Sequence, residues 1–444
     1  MYSENDLIPK KYAVTLTLEP ESGELEAETV LTLNVRSDTS IEFDLHEIFE
    51  INSLRIDGST VDHSTEDNEP TPVNPASKKV KIADGWKGNK EETVEVKISY
   101  SGKLKDIPEF ETMEDQKIGL DDRITEDHIE LACYSTWYPY FGFGYDFDID
   151  LKLDLPSHLI SVCSGRKVSS KKEGERRIER WKASKDNDIV VVASPDFKRR
   201  TIDGPFGEFS VYYTRLPEDF VKKEMEEISQ AIQLYQDILG RSHISGTEFK
   251  NVYSPKEKGQ GAFSRRGMIV YSEGYILEQL EEDPEMSIFK WNAHEIAHFW
   301  WNIGSGQSDW INEAFAEYFS TLALEEIISE DKLEEYIEKY EEFVRELPED
   351  APSISEVEPY NSGDNYTIRY YKAPLMLHEL RYKMGKKEFI RSSKDFYDKY
   401  KDTGVKTSDF KSFWSERLEE KNLTNTLEGW LTSKGGLPDD AGAE

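Results

Sequence analysis

A chain of 444 residues is too long for one ordinary core, and with 37% hydrophobic and 12% aromatic residues it is too rich in core formers to be an acidic disordered polymer, so two or three folded domains are expected. Its net charge of −34 repels phosphate backbones and anionic headgroups, which leaves nucleic acid and membranes out of the expected partners. Cys133 and Cys163 form no CxxC pair and are too few to staple a domain of this size. Free thiols in a reducing, cytoplasmic setting are therefore expected, in keeping with a start that lacks a basic-then-apolar leader.

From Lys11 to about Lys198, runs such as YAVTLTLEP, ETVEVKISYSG and YDFDIDLKLDLP alternate apolar and polar residues between Gly, Asn, Asp and Pro breaks. That period predicts an antiparallel, all-β first domain over residues 1–203. After Gly204 the period changes, and PEDFVKKEMEEISQAIQLYQDILG predicts an amphipathic helix ending at Gly240. FKNVYSP and GMIVYSE read as short strands, and nearly everything after Asp283 as helix, with breaks near Gly304, residues 348–363, Gly385 and Gly404. The expected class is α+β multidomain, with a mixed, then mainly helical second domain over 204–438 and a frayed tail over 439–444.

Asp283-Pro284-Glu285 supplies a cap, a proline and an acid for a helix predicted to run to about Asn302. His294 and His298 are one turn apart on it and aim two imidazoles at one point. Glu295 between them can reach a water at the same point, as in the H-E-x-x-H arrangement of zinc hydrolases. The helix is apolar nearly all round, so the histidines are expected to be buried, where an unpartnered imidazole is costly. A catalytic zinc takes three protein ligands and keeps a fourth position open, so one carboxylate is still needed. Glu313 and Glu317 lie one turn apart on a helix capped by Ser308 or Asp309, and helical geometry alone does not choose between them.

From His294 to Tyr318 the chain resembles the zinc aminopeptidase family that includes aminopeptidase N and leukotriene hydrolase. WINEAFA, residues 310–316, is similar to the family's W-L-N-E-G-F-A, whose Glu is the third ligand, and this implies Glu313. The family's usual spacing lands a turn later, on Glu317. A shortened GSGQS loop disturbs less than sliding a packed helix by a turn, so Glu313 is taken as ligand and Glu317 as the acceptor that fixes a histidine tautomer. YYKAPLMLHELR resembles the Y-x-K-G-A helix start and implies Tyr370 as the donor to a transition-state oxyanion. GAFSRRGMIVYSE resembles the G-x-M-E-N strand and implies substrate contacts at Gly261, Ala262, Ser264 and Arg265, but Ser264 replaces the glutamate that clamps a free amino terminus. Glu130, just before LACYSTWYP, is a candidate substitute anion.

The resemblance spans nearly the whole chain, without the family's large C-terminal helical domain. It implies a β domain followed by a thermolysin-like domain, one Zn²⁺, and hydrolysis of short peptides with Glu295 as base and acid. Altered recognition of the amino terminus leaves two alternatives: a zinc endopeptidase, or a non-catalytic binding or scaffold protein. Nothing in the sequence indicates an oligomeric state.

Overall fold

Buried and exposed residues alternate along Leu7–Glu19 and Glu24–Val35, and the two pair antiparallel at the centre of an eight-stranded sheet. In spatial order that sheet is Arg166–Glu173, Arg176–Asp186, Phe147–Pro156, Leu7–Glu19, Glu24–Val35, Glu92–Lys103, Glu50–Ile56 and Ser59–Thr60. Only Phe147–Pro156 on Leu7–Glu19 is parallel in this sheet, a pairing reached by a long crossover that no hairpin constrains. A three-stranded and a four-stranded sheet complete the β domain around a core that includes Leu16, Leu31, Ile98, Trp137 and Leu153. The computed structural model describes residues 7–36, 40–69, 76–82, 92–104, 123–142, 144–242, 248–256, 262–283, 287–304, 306–359, 363–419 and 424–438. Gly261, Pro284, Glu285 and the tail 439–444 lie outside the described residues.

A second sheet is ordered Lys198–Gly204, Gly207–Tyr213, Phe249–Ser254, Met268–Ser272, Ala262–Arg265. The domain break expected at 203/204 thus falls at the turn of its first hairpin. Among the described residues ten helices accompany this sheet: α1 Glu218–Leu239, α2 Glu273–Glu282, α3 Phe289–Ala297, α4 Trp310–Ile327, α5 Asp331–Arg345, α6 Asp364–Thr367, α7 Ala373–Met384, α8 Lys386–Tyr400, α9 Thr407–Glu419 and α10 Thr424–Thr432. α1 follows Pro217, its extended N-cap, and stops at Gly240, whose φ of 84° other residues avoid. The five-stranded and four-stranded sheets meet along a seam of Val162, Val192, Tyr212, Val252, Phe263 and Val270. Lys250 reaches across it to the carbonyls of Cys163, at 2.5 Å, and Gly165. Both cysteines are free and buried.

Three local expectations are corrected. The helix bearing the histidines begins at Phe289, not Asp283, because Asp283 is extended (φ −136°, ψ 95°) and closes α2, as suits the residue before a proline. That helix also ends at Ala297, where Phe299 and Trp300 turn back by shorter steps to Ile296 O and Ala297 O. Most of its apolar residues are buried, as is His294, while Trp291 is 38% exposed and stacks on Tyr275. Neither Ser308 nor Asp309 caps α4 through its side chain, since Ser308 bonds Thr407 and Asp309 turns to Arg369.

Candidate metal centre

α3 and α4 pack side by side, and their geometry is set by the short connection between them. Gly304 lies where a Cβ would sit 2.3 Å from Ser308 O, so only glycine allows the loop to close this tightly. Asn312 then accepts from Gly304 N at 2.6 Å and donates to Gly304 O at 3.1 Å, which ties the first turn of α4 to the exit from α3. In this register Glu313, in the first turn of α4, faces the histidine pair.

The ligand atoms of His294, His298 and Glu313 all lie within 4.8 Å of one another. Glu313 Oε2 is 3.3 Å from His294 Nε2 and 3.5 Å from His298 Nε2, and it is buried without a hydrogen-bond partner among the described residues. The outer nitrogens are engaged elsewhere, His294 Nδ1 with Glu317 Oε2 at 2.8 Å and His298 Nδ1 with Trp301 O at 3.0 Å. Carboxylate and carbonyl oxygens only accept, so each Nδ1 carries a proton and Nε2 is the nitrogen of each ring left to ligate a cation, which displaces any proton held there. Two imidazole nitrogens and one carboxylate oxygen converging on one point, with that oxygen orphaned, form a donor set that fits zinc and leaves a fourth position open.

Glu317 lies behind the pair. Besides His294 it accepts from Tyr340 Oη at 2.5 Å and from Lys290. Burial works against its charge, but Lys290 and His294 hold its carboxyl down at about 2. Burial likewise pushes the His294 imidazolium down, and Glu313 and Glu317 more than offset it, to about 10. Glu313 itself is held well below the usual carboxylate range against its burial, by His298, His294 and Arg369. So much fixed negative charge around two imidazoles makes the point they face attractive to a cation.

Glu295 is partly buried beside the pair, and burial raises its pKa against the pull of His298 and His294. Tyr370 stacks on His294 with ring centroids 5.7 Å apart, and its phenol bonds Glu313. Ser264 adjoins α3 on the edge strand, but its hydroxyl donates to Glu295 O at 3.1 Å. Ala262 begins that strand. Arg265 lies at the seam between domains, pairing with Asp188 at 2.7 Å and lying against the rings of Tyr134 and Phe263. Arg266 pairs with Asp146 at 2.6 Å. Glu130 is fully buried, and although burial favours its neutral form, Lys256 at 2.9 Å and His128 hold its carboxyl down at about 2.

Sequence reasoning missed Arg369, Asp309, Lys290, Tyr340 and Lys256. Two cations, Arg369 and Lys372, inside the otherwise aromatic and apolar IRYYKAP were a signal for Arg369; Lys256 carried none.

The family description Peptidase family M1 domain matches residues 223–430. Among solved structures, the M1 zinc metallopeptidase from Deinococcus radiodurans superposes with a TM-score of 0.74 at 16% identity, covering 98% of this chain and 97% of that one. A mutant of that enzyme bound to a Tyr-Ser-Ala substrate gives 0.73 at 15%, with the same coverage. Native leukotriene A4 hydrolase from Saccharomyces cerevisiae gives 0.74 at 17%, covering 98% of this chain and 69% of that one. No curated protein sequence matches the chain.

Proposed function

We propose that this chain, a member of the M1 zinc peptidase family with its family domain at residues 223–430, hydrolyses peptide bonds of short peptides and recognises their amino end differently from an ordinary aminopeptidase. One observation carries the reading: His294, His298 and Glu313 converge while both outer imidazole nitrogens are pinned, with Tyr370 stacked on His294 and Glu295 next to His294 on the same helix. His294, His298 and Glu313 would hold one zinc ion, which when bound polarises a carbonyl and makes water more acidic.

Glu295, with its pKa raised by burial, is suited to take a proton from the attacking water and return it to the leaving amine. Tyr370, whose phenol stays protonated because burial and Glu313 oppose its ionisation, donates to the oxyanion that forms on the carbonyl. Glu317 keeps His294 in one tautomer and orientation. Substrate contacts are assigned to the edge strand with Ala262 and Ser264, and by resemblance to Gly261.

The altered amine recognition rests on charge. Ser264 brings no carboxylate, and the guanidinium of Arg265 is neutralised by Asp188. Glu130 already holds an internal ammonium, Lys256, which a substrate's amino terminus would have to displace. Peptides are then gripped through backbone and side-chain contacts, which favours longer or N-blocked substrates. The Deinococcus enzyme's complex with a tripeptide supports a peptide substrate by analogy. Among the described residues no helix is long and apolar enough to cross a membrane, and two free buried thiols support a cytoplasmic setting.

A binding or scaffold protein is the second reading, favoured by the loss of the clamp at Ser264. Profiling a mixed peptide library with the zinc-loaded protein and its Glu295→Gln variant separates these. Cleavage by the wild type, lost in Glu295→Gln with zinc retained, supports the peptidase. Silence of the zinc-bound wild type supports the scaffold, and cleavage by both proteins removes Glu295 from the mechanism. Trimming from the amino end marks an aminopeptidase and internal cuts an endopeptidase.

A further inference from the structure

Between α6 and α7 the five residues Ile368–Lys372 form a π turn, a wider coil than the α-helix. Consecutive residues of an α-helix diverge by roughly 100° and seldom touch one partner. Here two do. Tyr370 bonds Glu313 through its phenol, and Arg369 Nη2 approaches Glu313 Oε1 at 3.4 Å.

Arg369 is 3% exposed and ion-paired with Asp309 Oδ2. Asp309 Oδ1 accepts from Asn312 Nδ2 at 2.9 Å, and Asn312 holds both backbone polar groups of Gly304. The guanidinium is therefore keyed to the same short connection that brings α4 against α3, and it approaches Oε1 of Glu313 whereas the histidines approach Oε2.

We propose that Arg369 is a positioning residue for the third metal ligand, engaging Glu313 Oε1 so that Oε2 alone is presented to His294 Nε2 and His298 Nε2. This rests on the zinc reading of the site. A carboxylate has two equivalent oxygens and a rotatable bond, so an unsupported Glu313 can turn either oxygen, or both, toward a cation. Taking both would fill the position a substrate or water needs. One guanidinium nitrogen, Nη2, faces two carboxylates at once, Asp309 and Glu313, within a planar, permanently charged group that lysine's compact ammonium reproduces less well. At 3.4 Å the contact with Glu313 is long for a hydrogen bond, so charge and orientation carry the effect. Arg369 also balances two buried carboxylates within one turn of each other, which would otherwise repel.

The test compares wild type, Arg369→Gln, Arg369→Lys and the double variant Arg369→Gln/Asp309→Asn. The double variant removes both buried charges together, so it is the one expected to fold if Arg369→Gln does not. Zinc affinity is measured by chelator competition, and coordination by the visible absorption of cobalt-substituted protein. Expected are a zinc affinity roughly ten- to a hundredfold weaker in Arg369→Gln or the double variant, with a weaker, shifted cobalt spectrum, and partial rescue in Arg369→Lys. If wild type binds one zinc and the folded double variant binds it within twofold, with the same cobalt spectrum, Arg369 only holds the turn to α4 and the proposal is overturned. A wild type that takes up no zinc overturns the metal reading itself, and the proposal with it.

Discussion

Replacing Glu317 and Glu313 in turn tests how the site divides its work. Glu317 accepts from His294 Nδ1 at 2.8 Å and Tyr340 Oη at 2.5 Å, and it pairs with Lys290, which is 12% exposed. Glu317→Ala removes all three acceptances and leaves an ammonium buried without its carboxylate, which costs about 3–5 kcal/mol of stability when one partner of a buried pair is lost. Cation–π contacts of Lys290 with Tyr336 at 5.0 Å and Tyr340 at 5.7 Å place the cost toward the lower end. Zinc affinity falls about ten- to a hundredfold, or roughly 1.4–2.7 kcal/mol, because His294 keeps its inward nitrogen but loses its orientation. Glu317→Gln is intermediate. Its one oxygen serves either His294 or Lys290, and if the amide nitrogen faces His294 the ring must reverse its tautomer and turn a proton inward. Glu313→Ala removes a donor atom and is expected to lose zinc far more severely, with the metal-free protein less affected than in Glu317→Ala. Chelator competition and thermal unfolding of metal-free proteins measure the two effects separately. The reverse ranking, with zinc lost in Glu317→Ala and kept in Glu313→Ala, would refute the assignment.

Tyr370→Phe is expected to keep zinc and lower kcat by roughly 10²–10³, as for the loss of one oxyanion donor; an unchanged kcat in steady-state assays removes Tyr370 from the chemistry. Ser264→Glu, and independently Lys256→Gln, which releases Glu130, should raise kcat/KM on free-amine anilides more than on N-blocked peptides. Equal changes on both substrates would show that neither position reads the amino terminus. Glu224, beneath α3, contacts Tyr253 and accepts from Asn251 at 2.5 Å, and burial raises its pKa to about 8. Because the folded value lies above the ordinary 4.5, the folded chain binds the extra proton between these values, so stability falls as pH rises through that window. Glu224→Gln should flatten that slope and gain on the wild type at pH 9 relative to pH 5 in thermal unfolding of metal-free protein. An unchanged difference between the two pH values would mean that Glu224 does not titrate there.

What could be read from the chain was local. Two-residue alternation marks strands such as Leu7–Glu19, three- and four-residue spacing marks α1, and His294 and His298 share a face because 3.6 residues make a turn whatever surrounds the helix. Resemblance of short motifs pointed to Tyr370 and to one of two glutamates. Helix ends were less legible, since the turn at Asp283 and the tightened exit after Ala297 depend on neighbours rather than on periodicity. Tertiary structure alone decides which side of the imidazoles each carboxylate occupies. Glu313 and Glu317 lie on one face of α4, and the Gly304–Ser308 turn with its Asn312 tie sets that helix so that one meets Nε2 and the other Nδ1. Partners such as Arg265 with Asp188, Lys256 with Glu130 and Arg369 with Asp309 come from segments far apart in the chain. No local pattern encodes such pairs: a charged side chain is much the same in sequence whether water or another charge receives it, and the choice is made only when folding removes the water.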